Sequence, residues 1–365
     1  MSATENLDEA RRLMTICNAC RYCEGLCAVF PTMEMRRTFA AADLNYLANL
    51  CHQCGACYPD CQYSPPHEFN VNVPATLARV RNDSYVAYAW PAAFSGAYAA
   101  PGLVVTSLVA LGVAGFIIGF VAWSDPAALW SAKAGDFYKV MPHGAMVAVF
   151  GAAALYAILA FILSLRAFWR DIAGDEAVGL AAIARAVADT AALTNLHGGG
   201  AGCTSETGEP SPRRRIFHHF TFYGFLLCFA ATCVGTIYHY AFGWEAPYSI
   251  VSLPVLLGSI GGIGLLVGPS GLFVLSRQRD PALMDGPRKG MDTAFMHMLT
   301  LSSLTGFLLL ILRDAPAMGM LLAVHLGVVL GLFLNLPYGK FVHALYRFLA
   351  LVKYASERQR GVFAD

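Results

Sequence analysis

Long apolar stretches separated by short polar segments occupy most of the chain after about residue 101. A helix needs about 20 apolar residues to cross a bilayer. Six stretches are that long: 101–123, 144–168, 217–242, 250–276, 291–312 and 317–347. The last contains Pro337, so we expect it to kink or to extend into the cytoplasm. Residues 1–85 are polar and cysteine-rich. The pattern predicts an N-terminal domain followed by a bundle of six transmembrane helices.

A polar insertion separates the second and third spans, over about 171–215. Its first part, DIAGDEAVGLAAIARAVADTAAL, has apolar residues at helical spacing with charges between them. This pattern predicts an interfacial or extramembrane helix. The glycine-rich stretch HGGGAGCTSETGEPSP follows, and we expect no regular structure there.

Composition supports a membrane location, because the chain is 57% hydrophobic and 13% charged, whereas soluble domains carry about 25% charged residues. The net charge of +1 gives no reason to expect nucleic acid as a partner. Lysine and arginine concentrate in the loops after spans two and four and after span six. The positive-inside rule therefore predicts that both termini are cytoplasmic.

Two cysteine runs of identical spacing, C-x2-C-x2-C-x3-C, lie within the polar N-terminal part. They are CNACRYCEGLC at 17–27 and CHQCGACYPDC at 51–61. This spacing is typical of bacterial ferredoxins, in which three cysteines of a run hold one [4Fe–4S] cluster and the fourth holds the other. Two crossed sets of ligands follow: Cys17, Cys20, Cys23 and Cys61 for the first cluster, and Cys51, Cys54, Cys57 and Cys27 for the second. A zinc-binding or disulfide module is the alternative.

The segment between the runs includes RRTFAAADLNYLANL, which reads as helix rather than strand. We therefore predict an all-α protein with an α-helical ferredoxin domain over 1–85. A membrane domain would follow over 86–350 and a cytoplasmic tail over 351–365. Of the remaining cysteines, we expect Cys228 and Cys233 to be packing residues. For Cys203, metal binding is an alternative to a purely structural role.

Histidines in or beside the spans suggest haem, because such side chains are costly in a membrane and are often functional. In a continuous sixth span, His325 and His343 would share one face and lie roughly 27 Å apart. His218 and His239 of span three would likewise share a face. Spans three and six run antiparallel, so His218 would meet His343 near the cytoplasmic side, and His239 would meet His325 near the other.

Two facing histidines are the ligands that a six-coordinate b-type haem requires. The sequence thus predicts one or two haems, with His219 and His297 as alternative cytoplasmic-side ligands. We expect His143 to be a capping or interface residue. The glycine-rich GSIGGIGLLVGPSG in span four is better explained by close helix contact than by nucleotide binding. No other stretch supplies a flavin or nicotinamide motif.

Several of these stretches together resemble a known family. CNACRYCEGLCAVFP, DLNYLANLCHQCGACYPDCQYSPPHEFNVNVP, RRRIFHHFTFYGFLLCFAAT and LPYGKFVHALYR are similar to the tricarballylate- or citrate-utilization protein B family. The same family matches the C-terminal half of fused cobalamin-biosynthesis flavoproteins. PYGKFVH also resembles the last haem helix of nitrate reductase gamma subunits, which supports His343 as a ligand.

The resemblance implies a bacterial inner-membrane protein that re-oxidises the FAD of a partner dehydrogenase acting on tricarballylate or citrate. Electrons would pass through the two clusters and haem b to membrane quinone. One alternative is a self-sufficient iron–sulfur reductase of heterodisulfide or precorrin type. A second is a zinc-binding structural or sensory membrane protein.

Overall fold

The computed structural model describes residues 2–123, 126–131, 135–204, 209–286 and 289–361. These residues are predominantly helical, as the sequence predicts. The α-helices, numbered in chain order, are α1 Ala3–Cys20, α2 Val29–Glu34, α3 Ala41–Leu50, α4 Val73–Tyr88, α5 Pro101–Trp123, α6 His143–Ala173, α7 Leu180–Ala192, α8 Arg213–Phe242, α9 Leu253–Arg277, α10 Lys289–Ile311, α11 Met318–Asn335 and α12 Val342–Arg360. Two short strands, β1 Cys203–Thr204 and β2 Pro210–Ser211, pair antiparallel.

Helices α1 to α4 form the N-terminal head around a buried apolar core. Leu13 of α1, Leu47 of α3 and Leu77 of α4 are fully buried there. A capping box fixes the start of α1: the Ser2 hydroxyl accepts from the Glu5 amide, and the Glu5 carboxylate accepts from the Ser2 amide. The helical character of the head confirms the predicted fold class.

Among the described residues, six helices, α5, α6 and α8 to α11, are long and apolar enough to cross a membrane. Their outer surfaces are rich in exposed apolar side chains such as Leu111, Leu155 and Ile263, as expected of surfaces that face lipid. α8 packs mainly against α9, and α5 packs against α11. The number and order of the predicted spans are confirmed.

The kink expected at Pro337 is a complete break, so the continuous helix assumed in placing His325 and His343 on one face does not form. α11 ends at Asn335, a single 3-10 turn covers Leu336–Tyr338, and α12 begins at Val342. Pro337 has no backbone N–H and disfavours the α conformation of the residue before it, which explains the break. At this break, the Pro337 carbonyl accepts a hydrogen bond from the Tyr98 hydroxyl at 2.8 Å. His343 therefore lies on α12, outside the spans.

The insertion contains the predicted amphipathic helix, α7. Leu180, Ile183 and Val187 form an exposed apolar row, whereas Ala182 and Ala186 are fully buried, and α7 packs against α12. The glycine-rich stretch differs from the prediction, because β1 and β2 form a two-stranded ladder. This ladder is stabilised by contact with the head, where the Thr204 amide donates to the Cys54 carbonyl at 3.0 Å.

The C-terminal helix α12 returns to the head and packs against α3. Residues 351–360, which we predicted as part of a tail, are the second half of α12, and Leu351, Lys353 and Glu357 are buried. Residues 362–365 of that predicted tail lie outside the described residues. The N-terminal head and the C-terminal helix consequently lie on the same side of the bundle.

Candidate metal centres

The eight cysteines of the two runs gather into two groups in the predicted crossed combination. Cys17 interacts electrostatically with Cys20, Cys23 and Cys61. Cys57 interacts with Cys54, Cys27 and Cys51, and more weakly with Cys23 of the other set. We call these sets the first and the second cysteine group. Their role as cluster ligands stays a prediction.

Helix ends and tight turns position these thiols. Cys17 and Cys20 lie in the last turn of α1, which ends at Arg21 in the left-handed conformation, with its amide bonded to the Cys17 carbonyl. Cys51 is the C-terminal cap of α3. Gly55, at φ +85°, lets the following chain fold back, and an added Cβ there would meet Leu283 at 3.0 Å. Each run can thus bend around a compact volume.

Burial dominates the acid–base behaviour of these thiols. It raises the pKa of Cys17 and of Cys23 to about 12, with a further contribution from neighbouring cysteines. It raises the pKa of Cys54 to about 11. Free thiols in this setting are protonated at neutral pH, so metal binding would have to displace their protons.

Among the described residues, no group of three or more His, Cys, Asp or Glu side chains is close enough to hold a single metal ion. A structural zinc site needs its thiolates about 2.3 Å from one point. A four-iron cluster would have its thiolate ligands spread around a larger volume.

His218 and His343 come together beside the second cysteine group. The centroids of their rings are 6.1 Å apart, with 53° between the planes. The Nδ1 atom of His343 is bonded to the Lys340 carbonyl. Burial, and then Arg347, lower the pKa of His343 well below its usual value. A neutral imidazole with its Nε2 left available is a suitable axial ligand.

Both histidines line a cavity of about 250 Å³ between the head and the bundle. We call it the histidine cavity. Apolar side chains from α8, α9 and α10 cover much of it: Phe222, Leu272, Leu275, Phe295, Met296 and Leu299. His52 also lines it, with Nδ1 bonded to the Leu50 carbonyl at 2.8 Å.

Cations outnumber carboxylates in the lining of the histidine cavity. Its basic residues are Arg81, Arg213, Arg214, Arg279, Lys340 and Arg347, and its acidic residues are Asp189 and Asp292. Asp292 is paired with Lys340 at 2.6 Å, and Asp189 with Arg185 at 3.0 Å. Burial lowers the pKa of Arg279 to about 9 and of Arg347 to about 10. Both stay protonated at neutral pH, so the cavity has a surplus of positive charge.

Four of these arginines bind the backbone of the second cysteine run. The Cys51 carbonyl accepts from Arg81 at 2.8 Å and from Arg347 at 2.9 Å. The Gln53 carbonyl accepts from Arg214 at 2.6 Å and from Arg279. We call Arg81, Arg214, Arg279 and Arg347 the arginine cage. Sequence reasoning missed this role, because these residues are far apart in the chain and three of them, Arg214, Arg279 and Arg347, contributed only to the prediction of topology.

The structure does not bring His239 and His325 together. His239 stacks on His143, with ring centroids 3.9 Å apart, whereas His325 is hydrogen-bonded to the Thr305 hydroxyl at 3.0 Å. The reason is the order of the helices, since α8 packs on α9 and α11 packs on α5 and α10. His143, expected to cap or to lie at an interface, is thus the neighbour of His239.

The alternative ligands lie outside the lining of the histidine cavity. His219 stacks on Tyr223, with centroids 5.8 Å apart. The Nδ1 atom of His297 is bonded to the Thr293 carbonyl at 2.9 Å, and its ring lies against Phe273.

Family comparison accounts for nearly the whole chain. The model of "Citrate utilization protein B" matches residues 97–363, and that of "Citrate utilization protein B Fer4-like domain" matches residues 10–87. Citrate utilization protein B of Escherichia coli is 49% identical over 361 residues, which cover 98% of this chain and 94% of that protein. This chain belongs to the citrate utilization protein B family. The family's Fer4-like domain coincides with both cysteine runs, which supports an iron–sulfur role for the head. No solved structure matches the chain.

Proposed function

We propose that this member of the citrate utilization protein B family is a membrane electron-transfer subunit. It re-oxidises the reduced FAD of a partner dehydrogenase of tricarballylate or citrate type through two [4Fe–4S] clusters and haem b, with membrane quinone as acceptor. Bound clusters and haem supply one-electron redox chemistry, which divides the two-electron oxidation of a flavin into single steps. The chain itself binds and orients these groups.

One observation carries this proposal: the arginine cage joins the second cysteine run to the histidine cavity. Arg347 contacts the Cys51 carbonyl and lines the same cavity as His218 and His343. A cluster site and a bis-histidine site therefore share one set of side chains, which is the proximity that electron transfer between them requires.

The residues of the histidine cavity suit a haem. His218 Nδ1 is buried without a hydrogen-bond partner among the described residues, so its imidazole is free to turn toward a ligand. Apolar side chains of α9 and α10 match a porphyrin face. Within the described part of the chain, the Nε atoms of Arg81 and Arg347 are also buried without hydrogen-bond partners, and the two propionates of a haem would supply acceptors for them.

Purification of the full chain in detergent allows a direct test of the cofactor content. We expect about eight iron atoms and eight acid-labile sulfides for two [4Fe–4S] clusters. A dithionite-reduced minus oxidised spectrum and a pyridine haemochrome assay should add one b-type haem. Zinc without sulfide would contradict the iron–sulfur assignment. Full clusters without haem would contradict the role of His218 and His343.

The flavoprotein partner needs a separate measurement. The purified subunit should re-oxidise a reduced FAD-dependent tricarballylate or citrate-type dehydrogenase in the presence of a quinone analogue, and it should be inactive with the soluble substrate alone. Turnover of a substrate without any flavoprotein would favour the self-sufficient reductase instead.

We also propose that both termini face the cytoplasm of a bacterial inner membrane. The proposal rests on the basic residues near the cytoplasmic ends of the spans, such as Arg170, Arg214 and Arg277. A green fluorescent protein fused after α12 should fluoresce, and alkaline phosphatase fused there should be inactive. The opposite pair of results would reverse the orientation.

A further inference from the structure

The two cysteine groups differ in their electrostatic surroundings. Four guanidinium groups donate to the carbonyls of Cys51 and Gln53 in the second run. Arg81 is buried and the other three arginines are half-buried, and their positive charges are screened less than those of exposed arginines. A cluster held by the second cysteine group would therefore lie in a strongly positive field.

The surroundings of the first cysteine group are more exposed and less positive. Its flanking residues Tyr22 and Asp60 are exposed, whereas His52 and Ala56 beside the second group are buried. The carboxylate of Asp60 acts on Cys23. Arg21 is the closest arginine in the sequence, but its side chain is bonded to the Asn18 carbonyl and its charge acts on Glu34.

We propose that the arginine cage holds the cluster of the second cysteine group at a higher reduction potential than the cluster of the first, and so sets the direction of electron flow. This inference rests on the iron–sulfur part of the proposed function. Reduction adds one negative charge to a cluster, and nearby cations stabilise that charge. One electron would pass from a reduced cluster in the first group to an oxidised cluster in the second, with no bond change and no proton transfer. The reduced flavin of the proposed partner would be the reductant.

The position of the cage agrees with this direction. The more exposed first group is the one that a soluble flavoprotein could approach. The second group shares Arg347 with the histidine cavity and is therefore the one from which an electron would leave toward the bundle.

Replacement of Arg347 by Gln tests the inference, because glutamine removes the charge and keeps a hydrogen-bond donor. The potentials of both clusters are measured by redox titration with electron paramagnetic resonance on the purified full chain. Cys20→Ser and Cys54→Ser first assign each signal to its group. We expect reduction of the second cluster to become at least tenfold less favourable, about 59 mV for one electron, with the first cluster unchanged. Arg347→Lys should restore most of the potential.

Arg358→Gln is the matched control, because Arg358 is on the same helix and its side chain donates to Tyr354 rather than to a cysteine run. It should leave both potentials unchanged. If Arg347→Gln does not fold, Arg81→Gln removes the other arginine bonded to the Cys51 carbonyl. It should likewise lower the reduction potential of the second cluster.

Two outcomes separate this inference from the proposed function. If the unmodified protein binds no iron and sulfide, the proposed function itself is wrong. If the clusters are present but the second keeps its potential in Arg347→Gln and Arg81→Gln, only the inference is overturned. If only the reduction potential of the haem changes, the arginine cage acts on the haem propionates and not on the second cluster, and the inference is overturned.

Discussion

His218 and His343 face each other across the histidine cavity, with their ring centroids 6.1 Å apart. One comes from the start of α8 and the other from the first turn of α12. Metal–imidazole bonds are about 2.0–2.1 Å long, as measured for zinc, so this separation leaves room for one metal atom between the two rings. The pair is thus the geometric centre of the proposed haem site.

Replacement of His343 by Ala should abolish haem binding. The haem would then be held by a single histidine, having lost one strong-field ligand and its attachment to α12. The b-type absorption and the pyridine haemochrome signal should disappear, while iron–sulfur content stays near that of the unmodified protein. His218→Ala should give the same result. His239→Ala is the matched control in the same helix as His218 and should keep the haem. Loss of haem in His239→Ala and its retention in His343→Ala would contradict the assignment.

Sequence reasoning reached the His218–His343 pair by a partly wrong route. It assumed that His325 and His343 lie on one continuous helix, and the chain breaks at Leu336–Tyr338. The pair still forms because α12 turns back toward the head and brings His343 to the N-terminal end of α8. Local periodicity predicts which residues share a helical face, but not which helices are neighbours.

The failure to pair His239 with His325 has the same physical cause. Glycines on α9 allow α8 to approach it closely, with Gly224 of α8 against Gly261 and Gly264 of α9. This contact keeps α8 away from α11. The sequence pattern suggested close helix contact in span four, but it did not identify the partner helix. The arginine cage could not be predicted from the sequence for a similar reason, because only the tertiary structure brings its four members to the same two carbonyls.

The crossed ligand sets predict which cysteine variants behave alike. Cys61 lies in the second run but belongs to the first cysteine group. Cys61→Ser should therefore alter the same paramagnetic signal as Cys20→Ser, because serine oxygen replaces a thiolate on the same cluster. Cys27→Ser should alter the same signal as Cys54→Ser. If Cys61→Ser and Cys54→Ser change the same signal, each run holds its own cluster and the crossed assignment is wrong.

Close contact between α8 and α9 should make certain glycines irreplaceable. A Cβ on Gly264 would lie 2.8 Å from the Phe220 carbonyl oxygen, so Gly264→Ala must push the helices apart. Overpacking of this kind costs about 1–3 kcal/mol. A Cβ on Gly258 would meet Ala231 at 3.6 Å, an ordinary contact, so Gly258→Ala should be neutral or slightly stabilising. The stability of both variants is measured as the fraction of protein that remains monodisperse after heating in detergent. Equal stability of Gly264→Ala and Gly258→Ala would contradict the close approach of α8 and α9 at Gly264.

Arg36 should be a main point of attachment between the head and α12. Its guanidinium is paired with Asp43 at 2.6 Å and with Glu357 at 2.7 Å, and its side chain is only 11% exposed. Tyr46 also donates to Glu357, at 3.1 Å. Arg36→Ala would leave the partly buried Asp43 without this cation, and Glu357 would keep only the longer pair with Lys353, at 3.5 Å. The loss of one partner of a buried pair costs up to about 3–5 kcal/mol.

Comparison with an exposed ion pair separates this effect from a general loss of charge. Arg185 is paired with Asp189 at 3.0 Å, but its side chain is 63% exposed, so Arg185→Ala should cost less than about 1 kcal/mol. Urea unfolding in detergent gives both values, and limited proteolysis should show α12 cleaved first in Arg36→Ala. Because His343 is on the same helix, the haem signal should be lost at the same urea concentration that releases α12. Retention of haem after cleavage of α12 would show that the helix is not what holds His343 in place.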